Sequence, residues 1–141
     1  MIRQLTFDTR GKGLYEITDE VRGALGEMTA EAADGGASGL LTVFVRHTSA
    51  SLTIQENADP AVTRDLQAWL ERQVPEGDEL YTHTQEGPDD MPSHIKAALT
   101  DVSLSIPVLD GELALGTWQG LYLWEHRSSP KRRSVVVHLG G

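Results

Sequence analysis

Apolar and polar residues alternate from Ile2 to Asp8, the pattern of a half-buried strand, and Gly11–Lys12–Gly13 separates it from a return strand over 14–17. Val21, Leu25 and Met28 then recur at spacings of four and three, which predicts a helix capped by Thr18 or Asp19. The glycine-rich stretch 30–39 reads as a loop, and the β-branched run LLTVFVR (40–46) as a central strand. Small polar residues interrupt at 47–50 before SLTIQ (51–55) resumes. Asp59–Pro60 opens a second helix with Val62, Leu66, Trp69 and Leu70 on one face, ended by Val74–Pro75. Residues 82–93 hold one large apolar side chain, Met91, so they predict a working loop. Asp90 is expected to cap the short helix that follows, with Pro92 in its first turn. Strands over 102–109 and 112–116 flank an Asp110–Gly111 turn, and 120–126 and 134–139 supply two more. About eight strands and three helices, inserted rather than alternating, give an α+β fold of mostly antiparallel sheets in one domain over residues 1–141.

Composition narrows the partners. The 141 residues carry a formal net charge of −9 and no cysteine, which excludes disulfides, thiolate nucleophiles and sulfur-ligated zinc. Nucleic acid calls for a basic face, and the single basic run, Lys131–Arg132–Arg133, reads as a solvated hairpin tip, with an anion contact as the second reading. No run is long enough to span a membrane and the first residues show no export signal, so the expectation is a cytoplasmic protein with neither nucleic acid nor membrane as partner.

Of the five histidines, His138 reads as structural or surface, and His126, between Glu125 and Arg127, as an ion-paired rim residue. His47, His83 and His94 stand in polar, loop-edge contexts. The positive end of a helix disfavours the imidazolium at position 94, and a divalent metal requires neutral imidazole. The 11-residue spacing of His83 and His94 is no recognised zinc signature, so metal ligation and unrelated histidines both stand at this level. Glu56, Asn57 and Asp59 gather at a strand-to-helix junction, and Glu86, Asp89 and Asp90 on the polar loop. Capping, hard-cation binding and acid–base catalysis are the readings there. Trp118, between Gly116 and Gly120, suits either a core or a stacking surface for a planar ring.

Three segments together, HTSASLTIQENADPAV (47–62), HTQEGPDDMPSHIKAAL (83–99) and GTWQGLYLWEHR (116–127), resemble the YjbQ-like family, whose members often carry the label secondary thiamine-phosphate synthase. The resemblance extends over nearly the whole chain. It implies a barrel-like sandwich with about three helices, assembled as a homotrimer, with a polar pocket near a subunit interface. His47, Asn57, Asp90 and His94 match motif positions of that pocket, and His83 matches the histidine that opens the second motif. The family's association with divalent metal makes His47, His83 and His94 the expected ligands of Zn, Mg or Mn. Glu56, Asn57 and Asp90 are the expected catalytic groups, and Ser49, Trp118 and Gln119 the substrate contacts. His126 matches part of the family only.

The activity so implied joins a hydroxymethylpyrimidine diphosphate to a thiazole phosphate. In so acidic a chain the diphosphate calls for a metal to carry positive charge. The expectation is a metal-assisted transferase on a small phosphorylated molecule, this synthase activity being weak. The alternatives are a non-catalytic metal- or anion-binding module and a metal-dependent phosphoester hydrolase with Glu56 or Asp90 as base.

Overall fold

The alternation at the start of the chain forms β1 (Ile2–Thr9), followed by β2 (Gly13–Glu16). The structure, a computed structural model, describes residues 1–35 and 38–141; residues 36 and 37 of the expected loop lie outside the described residues. The helix α1 (Thr18–Glu31) buries Val21, Leu25 and Met28 as its spacing predicted. Each such side chain contributes about 1.5–3 kcal/mol by leaving water. Its expected cap is corrected: Ile17 holds the N-cap position, and the Thr18 hydroxyl instead donates to Glu16 and accepts from the Leu121 N–H.

The central strand is β3 (Ser38–Val45), and β4 (Ala50–Glu56) follows after a four-residue corner. The helix α2 (Pro60–Gln73) begins under the Asp59 carboxylate, which accepts from the Ala61 N–H. Its expected apolar face is only partly buried: Leu70 is inside, whereas Trp69 is 53% exposed. A polar loop leads to α3 (Asp90–Leu99), then β5 (Ser103–Leu109), β6 (Glu112–Leu113), β7 (Gln119–Glu125) and β8 (Lys131–Gly140). The strand expected over 112–116 stops early because the Leu115 N–H folds back onto the Leu113 carbonyl.

Two antiparallel sheets result, one ordered β1-β8-β3-β5-β6 and the other β2-β7-β4. Their inner faces and α1 share one core that includes Leu41, Val43, Leu52, Leu121, Leu123 and Val135. The architecture is the expected α+β, barrel-like sandwich. The chain changes sheets at the β3–β4 corner, residues 46–49. Beside it the Val45 N–H bonds to Val102 O at 3.0 Å and the Leu52 N–H to Asp101 O at 2.6 Å. Those two bonds draw the end of α3 against the corner and so bring residues 47 and 48 to the helix. Among the described residues no helix is long and apolar enough to cross a membrane.

Candidate metal centre

The polar loop before α3 is held by Arg127, just past β7. Its Nε donates to Asp89 Oδ2 at 3.0 Å, one terminal nitrogen to Asp90 Oδ1 at 2.7 Å, and the other to the Glu86 carbonyl at 2.9 Å. Ser128 adds its N–H and hydroxyl to the same Asp89 oxygen. Gly87, at φ +107°, makes the turn between these anchors, a conformation favourable to glycine alone. These donors outweigh burial and hold the Asp89 carboxyl down at about 2. The expected cap is corrected here too: Asp89 occupies the N-cap position without a side-chain cap bond, and Asp90 is the first residue of α3.

The Asp90 carboxylate, 2% exposed, works across space instead. Arg127 takes Oδ1, and Oδ2 faces two imidazoles, His83 Nε2 at 2.6 Å and His94 Nε2 at 3.1 Å. Burial would raise the Asp90 pKa, but the His83 bond and the charges of His94 and Arg127 lower it. The two rings lie 5.4 Å apart, centroid to centroid. One ligand atom from each of His83, Asp90 and His94 falls within 4.8 Å of the other two. Ligands about 2.1 Å from a tetrahedral ion stand roughly 3.4 Å apart, so small side-chain rotations would admit a cation.

The His94 ring uses both of its nitrogens. Its Nδ1 lies 2.9 Å from the Thr48 carbonyl, which can only accept, so Nδ1 carries a hydrogen. A neutral ring then presents a bare Nε2 lone pair to the Asp90 oxygen. Two acceptors at 3.1 Å repel unless a cation, a proton or a metal, lies between them.

His47 stands outside this trio. Its ring and that of His94 line one cavity of about 780 Å³, with Phe44, Ala97, Ala98 and Val102 as apolar wall. Burial first, and the Arg133 charge second, lower its pKa. Ser49 is 1% exposed and lies behind His47 with its hydroxyl 2.9 Å from Nδ1. Arg133 departs from the expected solvated tip: it is 2% exposed because Glu125 holds it by two hydrogen bonds inside the fold. His126 departs likewise from a rim. It is 1% exposed, bonded to the Ser51 hydroxyl at 2.8 Å, and burial among positive charges drives its pKa down to about 3.

Glu56, Asn57, Trp118 and Gln119 gather at the far end of β4. The Asn57 N–H bonds to the Trp118 carbonyl, its amide reaches Glu16, and Gln119 Oε1 accepts from the Gly116 N–H. A Cβ at Gly120 would stand 2.7 Å from Glu16 Oε2 and 3.0 Å from Asn57, so glycine permits this packing. Six residue steps of about 3.3 Å separate the ends of β4, roughly 20 Å. Within one chain the expected site residues therefore divide between two polar regions. From sequence Arg127 has no assigned role and Arg133 sits in a solvated tip; Arg127 follows the apolar run of β7 and Arg133 lies near the start of β8, positions where a charge drawn inside must find a partner.

Comparison with known proteins places the chain among relatives. The sequence model of the family described as UPF0047 protein YjbQ-like matches residues 3–141. A UPF0047 protein of Synechocystis is 49% identical over 137 residues, covering 97% of this chain and 89% of that protein. UPF0047 protein YjbQ of Escherichia coli O157:H7 is 40% identical, covering 99% and 96%. A conserved hypothetical protein of Thermus thermophilus superposes with a TM-score of 0.83 at 36% identity, covering 98% of this chain and 99% of that one.

Proposed function

The chain belongs to the YjbQ-like UPF0047 family, and we propose that it is a metal-assisted enzyme for a small phosphorylated molecule, its ion held by His83, Asp90 and His94. The observation that carries this reading is the His94 ring, whose Nδ1–H is committed to Thr48 while Nε2 faces the Asp90 oxygen. Two imidazole nitrogens and one carboxylate oxygen suit Zn or Mn better than Mg, which prefers oxygen. Three protein ligands also leave coordination positions open, as in catalytic centres. When bound, the ion would polarise a phosphoryl oxygen or acidify a water.

The protein's own residues supply the rest. Arg127 neutralises one Asp90 oxygen and orients the other, and the Thr48 carbonyl fixes the His94 ring plane. The adjoining cavity offers room for a substrate body. Weak thiamine-phosphate synthesis is the specific activity to assay. Zinc, manganese or magnesium with hydroxymethylpyrimidine diphosphate and thiazole phosphate should give thiamine phosphate, and His94→Ala should abolish it. No product at any metal concentration, with His94→Ala indistinguishable, would end this reading.

Cytoplasmic residence and a homotrimer belong to the same proposal. A neighbouring copy would bring a Glu56–Asn57–Trp118–Gln119 end to the centre from outside. Sedimentation equilibrium tests the trimer. A second reading, a non-catalytic metal-binding module, is favoured by the distance of Glu56 from the centre within one chain. Stoichiometric metal without turnover on a phosphoester panel would select it.

A further inference from the structure

His47 shares its cavity with His94, yet its hydrogen bonds give it the opposite protonation pattern. The Ser49 backbone N–H, which can only donate, points at His47 Nδ1 from 3.1 Å. Nδ1 therefore presents a lone pair. The Ser49 hydroxyl lies 2.9 Å from the same nitrogen and is itself 2.9 Å from an Arg133 terminal nitrogen. A guanidinium only donates, so the hydroxyl oxygen accepts from Arg133 and its own hydrogen is free to turn to His47. Arg133 cannot turn away, because Glu125 grips it at 2.7 and 2.5 Å. Glu125, 0% exposed, is fixed in turn by the Thr9 hydroxyl and the N–H groups of His126 and Arg127.

Donors thus run in one direction, from Arg133 through Ser49 to Nδ1, and the proton of the neutral ring belongs on Nε2. Nε2 has no hydrogen-bond partner among the described residues, and its exposed ring lines the cavity. A metal on Nε2 would move that hydrogen to Nδ1, against the Ser49 N–H. We propose that His47 is a ligand-binding hydrogen-bond donor and no metal ligand: its Nε2–H meets an oxyanion, a phosphate or carboxylate group, on a small molecule whose apolar body lies against Phe44, Ala97, Ala98 and Val102. Ser49 and Arg133 are the positioning residues that hold this tautomer. The inference deepens the metal-centre reading and rests on it for the placement of the ligand beside His94.

The test is long-range proton–nitrogen NMR of the histidine rings in the full-length protein at neutral pH, with Zn²⁺ and then phenyl phosphate as probes. His47 should show an unprotonated Nδ1 and a protonated Nε2. Zn²⁺ should shift the His83 and His94 nitrogens and leave His47 protonated at Nε2. Phenyl phosphate should then move the His47 Nε2–H signal, and inorganic phosphate should bind more weakly for want of an apolar body. His47→Phe should lose about tenfold in phenyl phosphate affinity with Zn²⁺ affinity within about twofold of the parent. Ser49→Ala, which keeps the backbone donor, should gain a visible Nδ1–H population. Loss of the Nε2 proton on adding Zn²⁺ would overturn the donor role, as would a phosphate probe that leaves His47 unmoved. An unchanged ring pattern in Ser49→Ala would overturn the positioning role. Zn²⁺ moving no histidine would fell the metal centre instead, with the tautomer of His47 still readable.

Discussion

Asp90 shows how one buried carboxylate can serve two masters, with Arg127 on one oxygen and two imidazoles on the other. Asp90→Asn keeps the shape but loses the charge, so Zn²⁺ affinity measured by calorimetry should fall by more than the roughly 10–100-fold typical of an outer partner. Arg127→Gln should fall within about that 10–100-fold range, since Arg127 orients the ligand oxygen and anchors the loop without itself being a ligand. His126 supplies a prediction about acid. Its folded pKa of about 3 lies below the roughly 6.5 of an unfolded histidine. Between those values the unfolded chain binds the extra proton, so stability is intact above about pH 6.5 and declines as pH falls toward about 3. His126→Phe should cost about 1 kcal/mol at neutral pH, by stranding the Ser51 hydroxyl, yet flatten that decline in denaturant titrations. At this scale the sequence was least legible. Nothing near Arg133 in the chain announces that Glu125 and Ser49 will enclose it, because those contacts span 8 and 84 residues.

Elements were far more legible, because periodicity is local. The spacing of Val21, Leu25 and Met28 placed α1 on the core, and Asp59–Pro60 located the start of α2. Asp59→Ala should lower stability by about 1 kcal/mol in thermal or chemical denaturation, the value of one side-chain cap. The other two helices lack the expected caps for one reason. The side chains of Thr18 and Asp90 found stronger partners across the fold than their own helix ends offered. The face of α2 is narrower than its period suggests: Leu70 and the partly buried Leu66 pack with Val74, Trp124, Leu14 and Ile95, while Trp69 lies beside that cluster and stays exposed. The polar loop before α3 was identified by its lack of apolar residues, and Arg127 shows why it can be so polar and still ordered.

The molecule as a whole carries a second acid-sensitive element. The Asp89 carboxyl at about 2 is depressed below the roughly 3.9 of an unfolded aspartate. Its contribution, of order 2 kcal/mol, is present above about pH 3.9 and is lost as pH falls toward about 2. Denaturant titrations between about pH 4 and 2 should therefore show stability still falling with pH, and Asp89→Asn should flatten that fall, in a window that begins where the His126 decline is ending. The overall α+β architecture followed from counting strand-like and helix-like periods, and the three long motifs pointed to the family before any coordinates did. The division of the candidate site was invisible in the chain, because HTSASLTIQEN reads as one continuous motif while a strand alternates sides and consumes length. That spacer of roughly 20 Å has an energetic signature. In an isolated chain, Asn57→Ala and His94→Ala should act on ligand affinity as independent perturbations, their free energies summing in a double-mutant cycle. A coupling energy above about 0.5 kcal/mol would mean that the two ends converse through another copy of the chain.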